Sequence, residues 1–299
     1  MIKFGRNYTL DIQTNDKNHI IIKPPFTLEF DIIRNVLSSA NTCTFRIYNL
    51  SAEHRKLIQK NIIDYDNIRS IVFMAGYGKN LSLAFTGDIQ QAYSYRTGTE
   101  DITEINAFDG GFAFITSNTN RVFPAGTSEL DMCKTMMKDL NGIKPGAVGQ
   151  NFRGKLIRGT SKSGATSDIL YEHSGGCFFI DNGRAYMLAD NECLAPNGIT
   201  VINADSGLLE TPQQEESILR FPMLFEPKLR IAQKITLQSQ TESWLNGDYR
   251  VVSLSHKGII SEAVGGEAVT VVGILAPFLG IAKGGSFGLT VVDEFGEQP

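Results

Sequence analysis

Residues 247–258 read GDYRVVSLSHKG, and residues 87–98 read GDIQQAYSYRTG. Both twelve-residue stretches begin with Gly-Asp, end with Gly and carry basic residues just before the final glycine. A second alternating stretch follows each of them, at 268–273 and at 102–107. Alternation with period two is typical of half-buried β-strands, and turn residues at both ends indicate hairpins. The pattern predicts that one β-hairpin occurs twice, although three identities in twelve positions leave chance similarity open.

A real repeat would mean a duplicated β-barrel with another domain inserted between the two copies. Solenoids repeat every ~20 to 50 residues, so the much larger separation of these two stretches excludes a solenoid. The expected fold class is therefore mainly β with a small α/β domain. It comprises two related tube-protein-like β-barrels, an inserted α/β domain and an extended C-terminal tail.

Changes in the spacing of apolar residues along the chain set the expected domain boundaries. Residues 8–12, 26–32 and 42–48 alternate apolar and polar side chains, and Ser51 is a suitable N-cap for one short helix. Helical spacing then begins after Ser128 and again near Ser163 or Thr166, before an Asn-Gly hairpin signal. The predicted domains are a first tube-like β-barrel at 1–111, a small α/β domain at 112–197, a second tube-like β-barrel at 198–277 and an extended tail at 278–299.

The tail combines glycines with more apolar side chains than a solvated linker needs. An apolar, glycine-spaced terminus can order by laying strands onto the exposed edge of a partner's sheet. A disordered end is the alternative interpretation. The predicted partner-interface residues are Phe278, Leu279, Phe287, Leu289 and Phe295.

Charge and cysteine usage restrict the partners and the site of assembly. The formal net charge of -4 and the pI of about 5.7 argue against nucleic acid as the main partner, because such binding needs a basic surface. The four cysteines form no Cys-x-x-Cys pair, so we expect reduced and mostly buried thiols. The N-terminus lacks a signal-peptide core and no run of 18 apolar residues occurs, so we expect no membrane segment and assembly in a bacterial cytoplasm.

No motif for catalysis or cofactor binding appears in the sequence. The four histidines, His19, His54, His173 and His256, are too far apart for a metal-ligand motif, and no H-E-x-x-H, G-x-S-x-G or P-loop pattern occurs. With 32 acidic residues, carboxylate pairs arise by chance and do not indicate a glycosidase. We therefore predict no catalytic, cofactor-binding or metal-binding residues, and we expect His256 to make a local contact at a strand end.

Three stretches of the second strand-rich region resemble the tail and baseplate hub proteins of phages. Residues 206–212, SGLLETP, resemble the family's S-G-L-I-G-x-P loop, and residues 223–239 resemble the stretch that follows it. Residues 247–258 resemble the family's G-x-Y-x-V-x-x-x-x-H-x-G pattern. Residues 45–51 and 72–77 match more loosely. The chain departs from the pattern at Glu210, at Ile231-Ala232 and at Ile259, which bears on the subfamily more than on the fold.

The resemblance implies a structural hub protein in the baseplate of a contractile tail. In such hubs, each chain of a homotrimer gives two tube-like barrels, so three chains build a pseudo-hexameric ring. That ring joins a hexameric tail tube to a trimeric spike or tip, contacts other baseplate subunits and lets DNA pass through its lumen. The implied location is the virion. Duplicated barrels would resolve the mismatch between threefold and sixfold symmetry, because closed rings need repeated interfaces.

Three alternatives remain open at this level. A tail-associated peptidoglycan hydrolase or a glycan-binding β-protein would need a pocket with convergent polar groups. A tail-tube subunit would normally need only one barrel. A secretion-system spike would need a long β-helix or a needle-like C-terminus.

Overall fold

Alternating apolar side chains fold residues 6–109 into one curled sheet, here called the first module. The computed structural model describes residues 5–37, 39–64, 67–196, 198–215, 217–262, 266–275 and 288–293. The first seven strands are β1 (Arg6–Gln13), β2 (His19–Ile22), β3 (Leu28–Asn35), β4 (Asn41–Tyr48), β5 (Ser70–Tyr77), β6 (Asn80–Thr97) and β7 (Glu100–Asp109).

The strands of the first module lie in the order β3-β4-β7-β6-β5-β1-β2. Every second side chain of β3 and β4 enters a single core, which a sheet of this size achieves by curling around it. Four phenylalanines form the centre, and the rings of Phe45 and Phe73 lie 5.1 Å apart. One helix, α1 (Ala52–Ile58), covers the side of this core, and the Ser51 hydroxyl caps it by accepting a hydrogen bond from the His54 N–H.

Residues 111–193 form the α/β domain. Its elements are α2 (Gly111–Thr116), β8 (Asn118–Phe123), α3 (Glu129–Met137), β9 (Lys144–Val148), β10 (Thr160–Ala165), α4 (Thr166–Ser174), β11 (Phe178–Asp181), β12 (Arg184–Met187) and β13 (Glu192–Cys193). Met132, Met136 and Met137 of α3 are fully buried, so they fill the core of this domain. The predicted Asn-Gly hairpin is confirmed, because Asn182 and Gly183 both have positive φ between β11 and β12.

Residues 200–275 form the second module. Its strands are β14 (Thr200–Ile202), β15 (Gln213–Glu215), β16 (Ile218–Leu224), β17 (Lys234–Leu237), β18 (Gly247–Ile260) and β19 (Ala268–Leu275), and β20 (Thr290–Val291) follows it. Four lie in the order β15-β16-β19-β18, and β17 continues from β18 to β14. The predicted fold class, mainly β with a small α/β domain and two related tube-like modules, is confirmed. The exact domain boundaries stay predictions.

The core of the second module is shared with the α/β domain. Phe179, Tyr186 and Leu188 of the β11–β12 region pack with Phe221, Val251 and Ile274 of the second module. The neighbouring Phe178 points to the other side of β11, into the core of the α/β domain. Adjacent residues on one strand thus serve two different cores.

Candidate functional site

The two modules join edge to edge into one continuous sheet. Strand β18 pairs antiparallel with β3 over Ser253–Ile260 and Leu28–Asn35, while its other edge pairs with β19. The Phe225 ring packs 5.2 Å from Phe30, and the Tyr77 hydroxyl donates to the Phe225 carbonyl oxygen at 2.9 Å. The sheet and its core are therefore continuous across the boundary between the modules.

The face of this sheet opposite the core is polar, and its side chains bond across neighbouring strands. Arg46 lies directly between Glu29 and Glu104, and its guanidinium donates to both carboxylates at 3.0 and 2.8 Å. The Tyr93 hydroxyl then donates to Glu104 at 2.6 Å. This row of side chains runs across β3, β4, β7 and β6 and is called the polar ladder. Directly opposite pairs of this kind stabilise a sheet and fix its register.

A second row crosses the boundary between the modules. Lys257 of β18 lies opposite Asp31 of β3, with Nζ 3.8 Å from the carboxylate. Thr44 on the next strand donates to the amide oxygen of Asn106 at 2.8 Å. This face thus carries both signs of charge in close pairs, beside exposed apolar side chains such as Ile33 and Val271, so it is not a strongly basic surface.

The polar ladder shifts the pKa values of its members. Partial burial would raise the pKa of Glu104, but the hydrogen bonds from Tyr93 and Arg46 outweigh it and the pKa is lowered. The same hydrogen bond to Glu104 raises the pKa of Tyr93. Glu104 is therefore held as an anion and Tyr93 as a neutral donor, which suits a fixed structural pair.

A buried cluster holds the α/β domain against both modules. Arg34 of the first module lies 3.3 Å from one carboxylate oxygen of Asp181, and Arg230 of the second module lies 3.2 Å from the other. Asp181 and Arg34 are almost entirely buried. Arg230 also donates to the Tyr186 hydroxyl at 2.7 Å. We call Arg34, Asp181 and Arg230 the junction cluster, since one carboxylate from the hairpin connects all three parts of the chain.

Asp109 anchors the same hairpin through its backbone. Its two carboxylate oxygens accept the N–H groups of Asn182, at 2.5 Å, and Gly183, at 2.9 Å. Burial and the nearby Asp181 charge raise the pKa of Asp109 to about 7. Asp109 thus fixes the turn of the hairpin. The junction cluster fixes Asp181, which is the last residue of β11.

His256 is placed differently from the prediction, which put it at a strand end. It lies within β18, fully buried, with Nδ1 2.9 Å from the Thr270 Oγ1 and its ring against Phe225. Burial and the charge of Arg34 lower its pKa well below the usual range. His256 is a neutral core residue, and the local contact predicted for it is made inside the sheet.

A cleft of about 1360 Å³ opens where the two modules meet. Arg6 and Tyr77 lie on the side of the first module, and Leu224 and Val269 lie on the side of the second. Three carboxylates, Glu210, Glu262 and Glu267, also line the cleft. Within the described residues, no three His, Cys, Asp or Glu side chains come together as a metal site.

Of the five residues predicted to contact a partner, the structure describes only Leu289, which is partly buried. Phe278, Leu279, Phe287 and Phe295 lie outside the described residues. Next to Leu289, Thr290 and Val291 form β20, which pairs in parallel with β13 of the same chain, and Val292 is buried in the second module's core. This part of the tail therefore adds a strand to its own chain, while the partner interface stays a prediction.

The four cysteines are free thiols, and Cys43, Cys133 and Cys193 are buried. Among the described helices, none is long and apolar enough to cross a bilayer.

The sequence did not reveal the junction cluster or the anchoring role of Asp109. Arg34, Asp109, Asp181 and Arg230 are far apart in the chain, and Asp109 precedes two glycines, a composition typical of a turn. One signal was available: Asp181 directly precedes a hairpin turn and ends a strand whose other residues, 178–180, are all apolar. An acidic side chain beside such strands is buried only when it is paired.

The fold of this chain resembles that of phage tail proteins. The 43 kDa tail protein of prophage MuSo2 from Shewanella oneidensis has a similar structure, with a TM-score of 0.59 at 7% identity over 90% of this chain and 97% of that one. The tail protein from Neisseria meningitidis MC58 gives 0.58 at 10% identity over 91% and 97%. The Escherichia coli c3393 protein gives 0.52 at 9% identity over 85% and 75%. It is described as a component of the type VI secretion system with structural similarity to the T4 bacteriophage tail proteins gp27 and gp5.

The sequence places the chain within this class. A profile of the baseplate hub gp41 family matches residues 8–259, and the chain belongs to that family. It is a structural protein of a phage tail baseplate and a component of the virion, as the resemblance in the sequence predicted. A comparison with curated protein sequences gave no match.

Proposed function

We propose that three copies of this chain close into a ring that joins a hexameric tail tube to a trimeric spike or tip in a contractile tail. Each copy would supply two similar segments, so the ring would have six segments facing the tube and three chains facing the spike. The protein would act as an adaptor and not as an enzyme. Other baseplate subunits would bind at its periphery, and assembly would take place in the host cytoplasm.

The observation that carries this proposal is the internal repeat of strand order. The first module contains β5-β6-β7-β4-β3, and the second contains β17-β18-β19-β16-β15 in the same order, with every adjacent pair antiparallel. Residue burial agrees along the central strands, since Phe45 of β4 and Phe221 of β16 occupy the same place in their cores. Two like segments in one chain suit a trimer that must match a sixfold partner.

The surface properties of the continuous sheet also support a tube-like role. The polar ladder pairs its charges, so a lumen lined by this face would present little net charge to passing DNA. Nucleic acid is thus proposed to pass without being bound.

The catalytic alternative has a specific place where it could be tested. A hydrolase would need carboxylates that a substrate can reach, and Glu210, Glu262 and Glu267 line the cleft between the modules. Asp109 and Asp181 cannot serve, because both are buried and bonded to other groups. We expect purified protein to leave peptidoglycan intact. Cleavage that is lost when the three glutamates become glutamines would establish the hydrolase instead.

Native mass spectrometry of the purified protein tests the proposed ring. The expected result is a trimer, alone or after addition of tube and spike proteins from the same tail, with six tube subunits and three spike chains in the complex. A protein that stays monomeric in the presence of both partners would overturn the proposal.

The terminal apolar residues are proposed to dock on a partner. Deleting residues 294–299 removes Phe295 and keeps β20, whereas deleting residues 281–299 also removes the strand that pairs with β13. We expect the shorter deletion to leave the fold's melting temperature unchanged and to weaken spike binding. Unchanged spike binding in both deletions would remove this part of the proposal.

A further inference from the structure

The internal junction between the modules is a template for a contact between chains. At that junction, β18 offers one edge to β3, which is the last strand of the first module's order. The second module should contain a strand equivalent to β3, and the first module a strand equivalent to β18. If the modules are equivalent, these two strands should pair in the same way, but between two copies of the chain. Both strands can be identified from the structure.

The equivalence of β6 and β18 is fixed by a bulge in each strand. In β6 the extra residue is Gln90, where the pairing with β7 shifts, and in β18 it is Val252, where the pairing with β19 shifts. The residues on either side agree in burial, since Ile89 and Ala92 are buried, as are Val251 and Leu254. Counted from the bulge, Tyr95 of β6 corresponds to Lys257 of β18.

The equivalent of β3 is a broken strand that includes β15. Gly207–Leu209 pairs with Leu224–Pro222 of β16, in the position that Thr27 and Leu28 occupy beside β4. Strand β15 then pairs with Arg220 to Ile218, as Asp31 to Ile33 pair with Thr44 to Thr42. Gln213 therefore corresponds to Asp31. The strand order of the main sheet ends at β15.

Strand β6 has a short free edge in its second half, which is the part equivalent to the half of β18 that pairs with β3. Its pairing with β5 ends at Asp88, and Lys60 covers the edge only at Ala92, through two backbone hydrogen bonds. Among the described residues, no strand lies along this side of Tyr93–Thr97, although β7 covers the other side. This edge of five residues is long enough for the three residues of β15, whereas β3 pairs along eight residues of β18. Tyr93, Tyr95 and Arg96 are exposed along it.

We propose that β15 of one chain pairs antiparallel with Tyr93–Thr97 of β6 in a second copy of the same chain, and that this pairing closes the ring. The inference rests on the proposed trimer and assigns the strands that build it. The two edges differ from each other, so the contact is head-to-tail, which is the kind of contact that can generate a closed ring. Strand addition of this kind satisfies edge N–H and C=O groups that solvent would otherwise occupy.

The template also gives the register. Lys257 lies opposite Asp31 at the internal junction, so Tyr95 should lie opposite Gln213 of the neighbouring chain. Both pairs are of the non-hydrogen-bonded type, because Tyr95 bonds towards β7 and Gln213 towards β16. Cα atoms of such pairs are ~4.5 Å apart, within the ~4.4 to 6.8 Å that a disulfide spans.

Cysteine cross-linking in the full-length protein tests this register. A chain carrying Tyr95→Cys and Gln213→Cys should shift under mild oxidation from monomer to covalent trimer on a non-reducing gel. A one-to-one mixture of the two single variants should give covalent dimers and nothing larger. Lys257→Cys with Asp31→Cys is the matched positive control, since it should form a bridge within one chain and leave a monomer.

Two further variants separate the proposed pairing from accidental cross-linking. Thr97→Cys with Gln213→Cys shifts the register by two residues on the same face, so it should cross-link at least tenfold more slowly. Tyr95→Cys alone should not cross-link to itself, because a head-to-tail contact does not bring identical residues together.

The outcomes distinguish this inference from the proposed function. A native trimer in which the Tyr95→Cys, Gln213→Cys chain stays uncross-linked, or in which Tyr95→Cys alone dimerises, would overturn the strand pairing and leave the trimer standing. A protein that remains monomeric by native mass spectrometry overturns both.

Discussion

The first and second modules share their central strands and differ in the strands around them. Strands β4 and β16 have 8 and 7 residues, and β7 and β19 have 10 and 8. The flanking strands shrink much more: β3 and β5 have 8 residues each, whereas β15 has 3 and β17 has 4. The strands that keep their length lie in the middle of each module, so the repeat preserves the centre of each module more than its edges.

The difference also shows in how each module completes its core. The first module fills its core almost entirely with its own side chains, plus Phe225, Ile260 and Ala268 from across the junction. The second module has too few long strands to do this, and it takes Phe179, Tyr186 and Leu188 from the α/β domain. The second module is therefore expected to depend on the α/β domain for its stability, whereas the first is not.

Phe179→Ala should have the largest effect and should break this dependence. Removing a fully buried phenylalanine costs about 3–5 kcal/mol of unfolding free energy. Hydrogen exchange should report lost protection in β16, β18 and β19 and unchanged protection in β1 to β7. Phe178→Ala is the matched control, because the neighbouring side chain lies in the α/β core and should leave the second module protected longer. Equal losses in both modules would contradict the asymmetry.

Asp181→Asn should have the next largest effect, since it removes the carboxylate of the junction cluster. Arg34 and Arg230 would remain as buried or half-buried charges without their common partner, at a cost of about 3 kcal/mol. Urea denaturation with fluorescence detection measures this cost. Asp31→Asn is the control, because its pair with Lys257 also joins the two modules but is exposed and should be worth about 0.5 kcal/mol. Similar costs for the two variants would mean that the cluster does not hold the three parts together.

The strongly periodic part of this fold could be predicted from the sequence, and the register of the repeat could not. Residues 28–32 and 42–48 alternate cleanly and lie in strands β3 and β4, as expected. Gly87 was expected to open a turn, yet it lies within the 18-residue strand β6, where a Cβ would come within 2.5 Å of the Phe108 carbonyl oxygen. Gly98 does sit in a turn with positive φ, whereas Gly258 continues β18. The matching glycines are therefore not equivalent positions.

The bulges explain this mismatch. The extra residue follows Gly87 by three positions and Gly247 by five, and nothing in the local composition marks a bulge. Short polar strands such as β10 and β15 carry no apolar alternation, so their pairing depends on tertiary contacts that a local pattern does not record.

Asp109, at the end of the first module, should make the free energy of unfolding depend on pH, with a smaller effect than the loss of Asp181. Its pKa is raised to about 7 in the folded protein from about 3.9 in an unfolded chain, so the folded state binds the extra proton between these values. The stabilisation is complete below the unfolded pKa and is lost as the pH rises through 7. His256, whose pKa is lowered by burial, contributes with the opposite sign below about pH 6.5, so the contribution of Asp109 is read as the difference in urea midpoint between the wild-type protein and Asp109→Asn. This difference should fall as the pH rises from 5 to 8.

Asp248 of the second module is a control, because the shift of its pKa has the opposite sign to that of Asp109. Hydrogen bonds from Thr236 and Lys234 lower its pKa, so its contribution is present at neutral pH and is lost only when the pH falls through the folded pKa. Asp248→Asn should leave the slope between pH 5 and pH 8 unchanged. A difference between the wild-type protein and Asp109→Asn that stays constant from pH 5 to pH 8 would contradict the raised pKa of Asp109.

Ser51→Ala should have the smallest effect on the free energy of unfolding. It tests a helix that the first module has and the second module lacks among its described residues. Helix α1 covers the first module after β4, and the second module has only turns after β16 before β17 begins. Losing the cap should cost about 1 kcal/mol of unfolding free energy, measured by urea denaturation. Ser51→Asp should restore it, because aspartate caps equally well. A loss that Ser51→Asp does not restore would point to a contact other than the cap.

Electron microscopy of the purified ring, averaged in the view along its axis, tests the central claim most directly. The two modules of three chains should appear as six similar inner segments, with three outer lobes from the α/β domains. A ring with six outer lobes would mean one α/β domain per segment and therefore six chains. Three inner segments, or no ring at all, would contradict the equivalence of the two modules.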